Sequence, residues 1–128
     1  MSRGDRVIGL GIDLVEVSRF REVIARRPRL AERLFTEGER AYAARFADPW
    51  PRLAARFAAK EAALKAIGLG LGGMAMAEIE VRRAAGGAPL LEITGQSADV
   101  AARKGVDTWH CSLTHTAGHA QAVVMALG

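Results

Sequence analysis

Arg52-Leu-Ala-Ala-Arg-Phe-Ala-Ala-Lys-Glu-Ala-Ala-Leu-Lys-Ala-Ile67 is the longest helical signal in the chain, preceded by Asp48-Pro-Trp-Pro51 and closed by Gly68 as a C-cap. At 100° per residue, Leu53, Phe57, Leu64 and Ile67 fall in one apolar arc of about 80°. Lys60 falls inside that arc. Glu61 lies about 40° beyond Phe57 and Lys65 about 40° further out, one turn on at the favourable spacing for a Glu-to-Lys pair. A snorkelling lysine and a surface salt bridge would account for the pattern on an arbitrary helix. Lysine usage argues for more: 15 of the 18 basic residues are Arg, and Lys60, Lys65 and Lys104 are the only lysines. A compact ammonium beside a carboxylate suits phosphate, which it binds as a point charge.

Upstream of this helix, Val7-Ile-Gly-Leu-Gly-Ile12 reads as a strand, with Ile8, Leu10 and Ile12 on one face and Gly9, Gly11 and Asp13 on the other. The glycines leave that second face bare, so a helix or a ligand can approach the backbone there. Asp13 is either a site carboxylate or a helix N-cap ahead of Val17. Val17 to Arg27 has helical spacing and stops at Pro28. Leu30 to Phe35 follows as a short turn, and Thr36-Glu-Gly-Glu39 fits a capping box that opens a helix from about Glu37 to Phe46.

Downstream, the period changes from helical to alternating. Glu78–Arg82 and Leu90–Thr94 flank Gly86-Gly-Ala-Pro89 as a hairpin, Gln96 to Lys104 is a short helix closed by Gly105, and Thr108–Thr114 with Ala120–Leu127 form a second antiparallel pair. The order predicts one α+β domain, residues 1–128, with a mostly antiparallel sheet packed with helices.

Composition narrows the function. The 128 residues are half apolar and a quarter charged, with 14 Gly, 4 Pro and one cysteine, which excludes disordered, collagen-like and disulfide-scaffold classes. No apolar run approaches the roughly 20 residues of a membrane span, and the charged start Met-Ser-Arg-Gly-Asp-Arg is followed by no signal-type apolar region. A cytoplasmic location is expected. Cys111 is expected to be a buried small apolar residue. The Ala-rich stretches are read as compositional bias. A net charge of +4 favours an acidic partner or anionic ligand. Aromatics make up only 5% and sit at core-like positions such as Phe20, Phe35 and Phe57, which argues against nucleic acid. Arg19 and Arg26 share a helix face and Arg29 follows, a basic stripe that is either a solvated face or a dock for an acidic protein.

Two carboxylates, Asp13 and Glu61, without His or Cys at ligand spacing suit a hard cation such as Mg²⁺, which typically uses one or two carboxylates plus substrate phosphates. This points to chemistry on a pyrophosphate. Gly68-Leu-Gly-Leu-Gly-Gly73 is not a P-loop, since it follows a helix and has no Gly-Lys-Ser/Thr ending. A Ser112–His115–Asp13 triad has no nucleophile elbow to support it.

Gly9-Leu-Gly-Ile-Asp-Leu-Val-Glu16, Arg56-Phe-Ala-Ala-Lys-Glu-Ala-Ala-Leu-Lys-Ala-Ile-Gly68 and Ser112-Leu-Thr-His-Thr116 together closely resemble the holo-acyl-carrier-protein synthase family, the small phosphopantetheinyl transferases. The resemblance runs nearly end to end. It implies Mg²⁺-dependent transfer of 4′-phosphopantetheine from coenzyme A to a serine of apo acyl carrier protein, for fatty acid biosynthesis, with release of adenosine 3′,5′-bisphosphate. It also implies a homotrimer with active sites between subunits. By the same resemblance Asp13 and Glu61 are metal ligands, Lys60 and Lys65 lie near the phosphates, and Lys60 also neutralises developing charge. Arg56 and His115 belong to the nucleotide end, Gly68 and Gly70 to the turn under the adenosine, and Arg19, Arg26 and Arg29 to the acidic carrier helix. Two positions depart from the family pattern: Leu69 replaces the usual Thr between two glycines, and Thr116 stands where some members carry Asp. A basic, non-enzymatic α+β module binding nucleic acid or an acidic protein is the alternative from a different class.

Overall fold

The elements run β1 (Val7–Glu16), α1 (Val17–Arg26), α2 (Leu30–Leu34), α3 (Glu37–Ala43), α4 (Trp50–Ala66), a 3-10 turn (Met76–Glu78), β2 (Ile79–Arg83), β3 (Pro89–Ile93), α5 (Gly95–Arg103), β4 (Thr108–His115) and β5 (His119–Leu127). This computed structural model describes residues 6–128; Met1 to Asp5, most of the charged start that argued against a signal, lie outside that range. Among the described residues every strand pairing is antiparallel, but there are two sheets rather than one: β1-β5-β4 and the hairpin β2-β3. Among the described residues no helix is long and apolar enough to cross a membrane.

The bare face of β1 is the buried one. A Cβ added to Gly9 would stand 1.7 Å from the Ala66 carbonyl oxygen, and one on Gly11 would stand 1.8 Å from that of Ala62. Helix α4 therefore lies with its backbone against the strand, an approach open only to glycine. Its alanines complete the contact: Ala54, Ala55, Ala58, Ala59, Ala62, Ala63 and Ala66 are all buried. Their abundance is a packing feature, not only compositional bias, and α4 is covered well beyond the apolar arc its wheel predicts. The other face of β1 is open, with Leu10 61%, Ile12 56% and Leu14 63% exposed. Their cross-strand partners on β5 are Met125, Val123 and Gln121.

A second cluster, as expected, gathers Phe20, Phe35 and Phe57, with Phe20 5.3 Å from Phe57 and 6.1 Å from Phe35 between ring centroids. The capping box on α3 forms with both of its hydrogen bonds. Asp13 sits inside β1, which runs on to Glu16, so the N-cap alternative is excluded: Glu16 holds that position. Cys111 is only half-buried, and burial pushes its thiol pKa up.

Candidate active site

Because Gly9 and Gly11 draw α4 onto β1, Asp13, next on the same face, comes beside the last turns of that helix. Lys65 Nζ donates to Asp13 Oδ1 at 2.8 Å and to the Ile12 carbonyl at 3.1 Å. The sequence pairs Lys65 with Glu61 on the helix; the fold gives its ion pair to Asp13 instead, because the strand lies closer to its ammonium than the helical neighbour does. Glu61, one turn earlier, is half-buried. Burial first, and then the Asp13 charge, hold its carboxyl above the ordinary range, with Lys65 opposing. Asp13 and Glu61 open onto a groove of about 610 Å³ walled by Leu14, Phe20, Val23, Ile24 and Phe57. Arg19 and His119 also line it. Arg26 and Arg29 are exposed beyond, at the end of α1 and before α2.

Arg56 and His115 meet in a different pocket, of about 340 Å³, together with Tyr42, Arg52 and Arg83. Arg56 is buried, and desolvation pulls its pKa below the usual value against the pull of Glu39 and Tyr42. Arg56 and Glu61 are five residues apart on α4, about 140° round the helix. The two halves of the expected site thus open on different sides of α4.

A family model described as the 4′-phosphopantetheinyl transferase superfamily matches residues 9–124. The chain belongs to this family. The transferase is 48% identical over 122 residues to the holo-[acyl-carrier-protein] synthase of Streptomyces coelicolor, covering 95% of this chain and 98% of that protein. Among solved structures, the synthase of Neisseria meningitidis superposes with a TM-score of 0.86 at 27% identity, covering 95% of this chain and 99% of that one. The Bacillus anthracis synthase in complex with CoA (3′,5′-ADP) superposes with a TM-score of 0.79 at 31% identity, covering 95% and 97%. Family membership makes the chain an enzyme and removes the non-enzymatic module.

Within the transferase, Lys60 is placed elsewhere than the resemblance implies. It is fully buried, and its Nζ donates to Glu39 Oε1 at 2.7 Å, to the Met76 carbonyl at 2.9 Å and to the Ile79 carbonyl. All three donors of the ammonium are used inside the protein, so it neither snorkels nor faces a phosphate. The expectation of Lys60 beside the phosphates is corrected accordingly: its partner is the 2% exposed Glu39, whose Oε2 also accepts from Val81 N at 2.9 Å. Gly68 ends α4 with φ +73°; its N–H bonds to the Lys65 carbonyl and that of Leu69 to the Leu64 carbonyl, a Schellman motif. Gly68 and Gly70 are exposed, one turn past Lys65.

Sequence reasoning overlooked Tyr42, Arg52, Arg83 and His119. Arg52 was findable, one turn before Arg56 on the same helix face. Nothing local marks Tyr42 or Arg83, which meet Arg56 only through the packing of α3 and β2 on α4.

Proposed function

We propose that this transferase moves 4′-phosphopantetheine from coenzyme A to a serine hydroxyl of an apo acyl carrier protein, releasing adenosine 3′,5′-bisphosphate, with Mg²⁺ bound by Asp13 and Glu61. The observation that carries the reading is that Asp13 and Glu61 line one groove while Lys65 is paired to Asp13. The donor set fits the cation: the one ammonium beside the two carboxylates is paired to Asp13, and the electrostatic strain on Glu61 is what an added positive charge would relieve. Among the described residues no cluster of three acid, His or Cys side chains could hold a metal. Two carboxylates completed by substrate phosphate oxygens match the habit of Mg²⁺. When bound, Mg²⁺ neutralises the pyrophosphate and the charge growing on the leaving group.

The chain's own residues do the rest. Lys65, on a flexible stem and half exposed, turns from Asp13 to a phosphate oxygen. Glu61 accepts the serine proton as the serine oxygen bonds to phosphorus and the bond to the nucleotide phosphate breaks. The carrier docks along Arg19, Arg26 and Arg29, and the nucleotide end of coenzyme A lies against Arg56 and His115, with the Gly68–Gly70 turn beneath the adenosine.

Separation of the two halves around α4 has a further consequence. One coenzyme A molecule reaches both if Asp13, Glu61 and Lys65 come from one copy and Arg56 and His115 from its neighbour, as in a homotrimer. The exposed Leu10, Ile12 and Leu14 supply the apolar surface that such an assembly buries.

Intact-mass spectrometry of an apo acyl carrier protein incubated with the enzyme, coenzyme A and Mg²⁺, with a parallel EDTA sample, tests the reading. A phosphopantetheine mass gain only with metal supports it; no gain with several carriers overturns it. Glu61→Gln is expected to fold, to bind carrier and to lower turnover at least about 100-fold. Retained turnover removes Glu61 from the metal site.

A further inference from the structure

Thr116-Ala-Gly118, the turn between β4 and β5, is held by one exposed side chain. Thr116 Oγ1 accepts from Gly118 N at 3.2 Å and from His119 N at 3.1 Å, while Thr116 N donates to the His119 carbonyl at 2.8 Å. A hydroxyl bonded to the backbone two and three residues on closes a turn as a further peptide group would. The His119 N–H and the Gly118 carbonyl belong to one peptide unit, which is planar and trans, so they point in opposite directions. With the N–H anchored on Thr116, the carbonyl is turned away from the turn, and Val17 N donates to it at 3.0 Å.

Val17 is the first residue of α1, and the first N–H groups of a helix have no partner within it. Glu16, at the N-cap, makes no side-chain cap bond; its carboxylate accepts from Ser18 Oγ at 3.2 Å instead. The Gly118 carbonyl therefore takes the capping role that the N-cap side chain leaves open. Arg19, two residues into α1, lines the groove with Asp13 and Glu61. On the other side of the turn, His115 pairs with Ala120 in the ladder of β4 and β5, so its place does not depend on the hydroxyl.

Resting on the reading that the carrier docks along Arg19, we propose that Thr116 is a positioning residue for the carrier. Its hydroxyl orients the Gly118 carbonyl that caps α1, and so sets the first turn of the helix that presents Arg19.

Thr116→Val keeps the shape of the side chain and removes the acceptor, whereas Thr116→Ser and Thr116→Asn keep an acceptor oxygen. Each is compared with the wild type by fluorescence anisotropy of a labelled apo acyl carrier protein, by kcat and KM for both substrates, and by amide hydrogen exchange followed by NMR. In Thr116→Val the Val17 amide is expected to lose protection, and the carrier Kd and KM to rise about three- to tenfold, the size of a lost helix cap. Neither kcat nor the KM for coenzyme A should change, and the Ser and Asn variants should behave as wild type. In an Arg19→Ala background Thr116→Val should add nothing, because the two act through one contact.

Equal rises in KM for both substrates, weakened binding with Val17 still protected, no rescue by Ser or Asn, or a full further loss in the Arg19→Ala background overturns the proposal. Should Thr116→Val not fold, Thr116→Ala, which lacks the same oxygen, takes its place. Arg19→Ala binding the carrier as tightly as the wild type refutes the dock, and the proposal with it; weak binding by Arg19→Ala beside tight binding by Thr116→Val refutes the proposal alone. Because anisotropy needs no turnover, a wild type that binds the carrier without modifying it refutes the transfer reading and leaves these binding measurements to judge Thr116.

Discussion

Gly11 has no room for a methyl group, since a Cβ there would lie 1.8 Å from a backbone oxygen of α4 that no rotamer can move. Gly11→Ala must push the helix off the strand. A loss of about 3 kcal/mol or more is expected from such overpacking, read as a lowered urea midpoint. Gly118→Ala, where nothing lies within 4 Å, serves as the neutral control. The same displacement would carry Asp13 away from Lys65, so a surviving Gly11→Ala protein should also lose transfer activity. A variant as stable as Gly118→Ala would mean that the strand and helix can separate without cost, against the packing described.

The buried Lys60–Glu39 pair ties three elements together. Glu39 caps α3, accepts from Lys60 on α4 and accepts from Val81 on β2. Taking one partner away strands a charge in the core, whereas neutralising both does not. Lys60→Met is expected to cost about 3–5 kcal/mol, and Lys60→Met combined with Glu39→Gln to cost less than Lys60→Met alone. Urea unfolding of the three proteins checks this; strictly additive losses would show the two groups to be energetically independent. Desolvation by burial, opposed by Glu39 at 2.7 Å, holds the Lys60 pKa below its ordinary value. The motif helix thus uses one lysine in the architecture and leaves Lys65 for the proposed site.

At the scale of the whole molecule, two surfaces carry the expectations. Ile12→Lys places an ammonium in the open β1 face and should yield a folded monomer by light scattering and circular dichroism. If the site is shared between copies as proposed, transfer should be lost with the assembly, since Arg56 and Asp13 of one chain open on different sides of α4. A monomer with full activity would show that one copy completes the site. The basic stripe, proposed as the carrier's dock, would act at longer range. Arg19→Ala should weaken carrier binding and flatten its dependence on ionic strength, because steering between opposite charges is screened by salt. An unchanged salt response would make Arg19 a bystander.

By itself, the sequence determined the element order, the α+β class and the caps, and it named the residue types of the proposed pyrophosphate site, because periodicity, Gly and Pro punctuation and short-range capping are local properties. Gly9 and Gly11 announced a close approach, and the motif helix announced Glu61 and Lys65. Tertiary structure alone decided what meets the glycine face of β1, since a bare backbone admits a helix or a ligand without saying which. It also decided that Lys60 pairs with Glu39, 21 residues away in the chain, and not with a phosphate. The gathering of Tyr42, Arg56 and Arg83 was settled the same way: their positions are set by how α3, α4 and β2 pack, and no local pattern in the chain encodes a distance between elements.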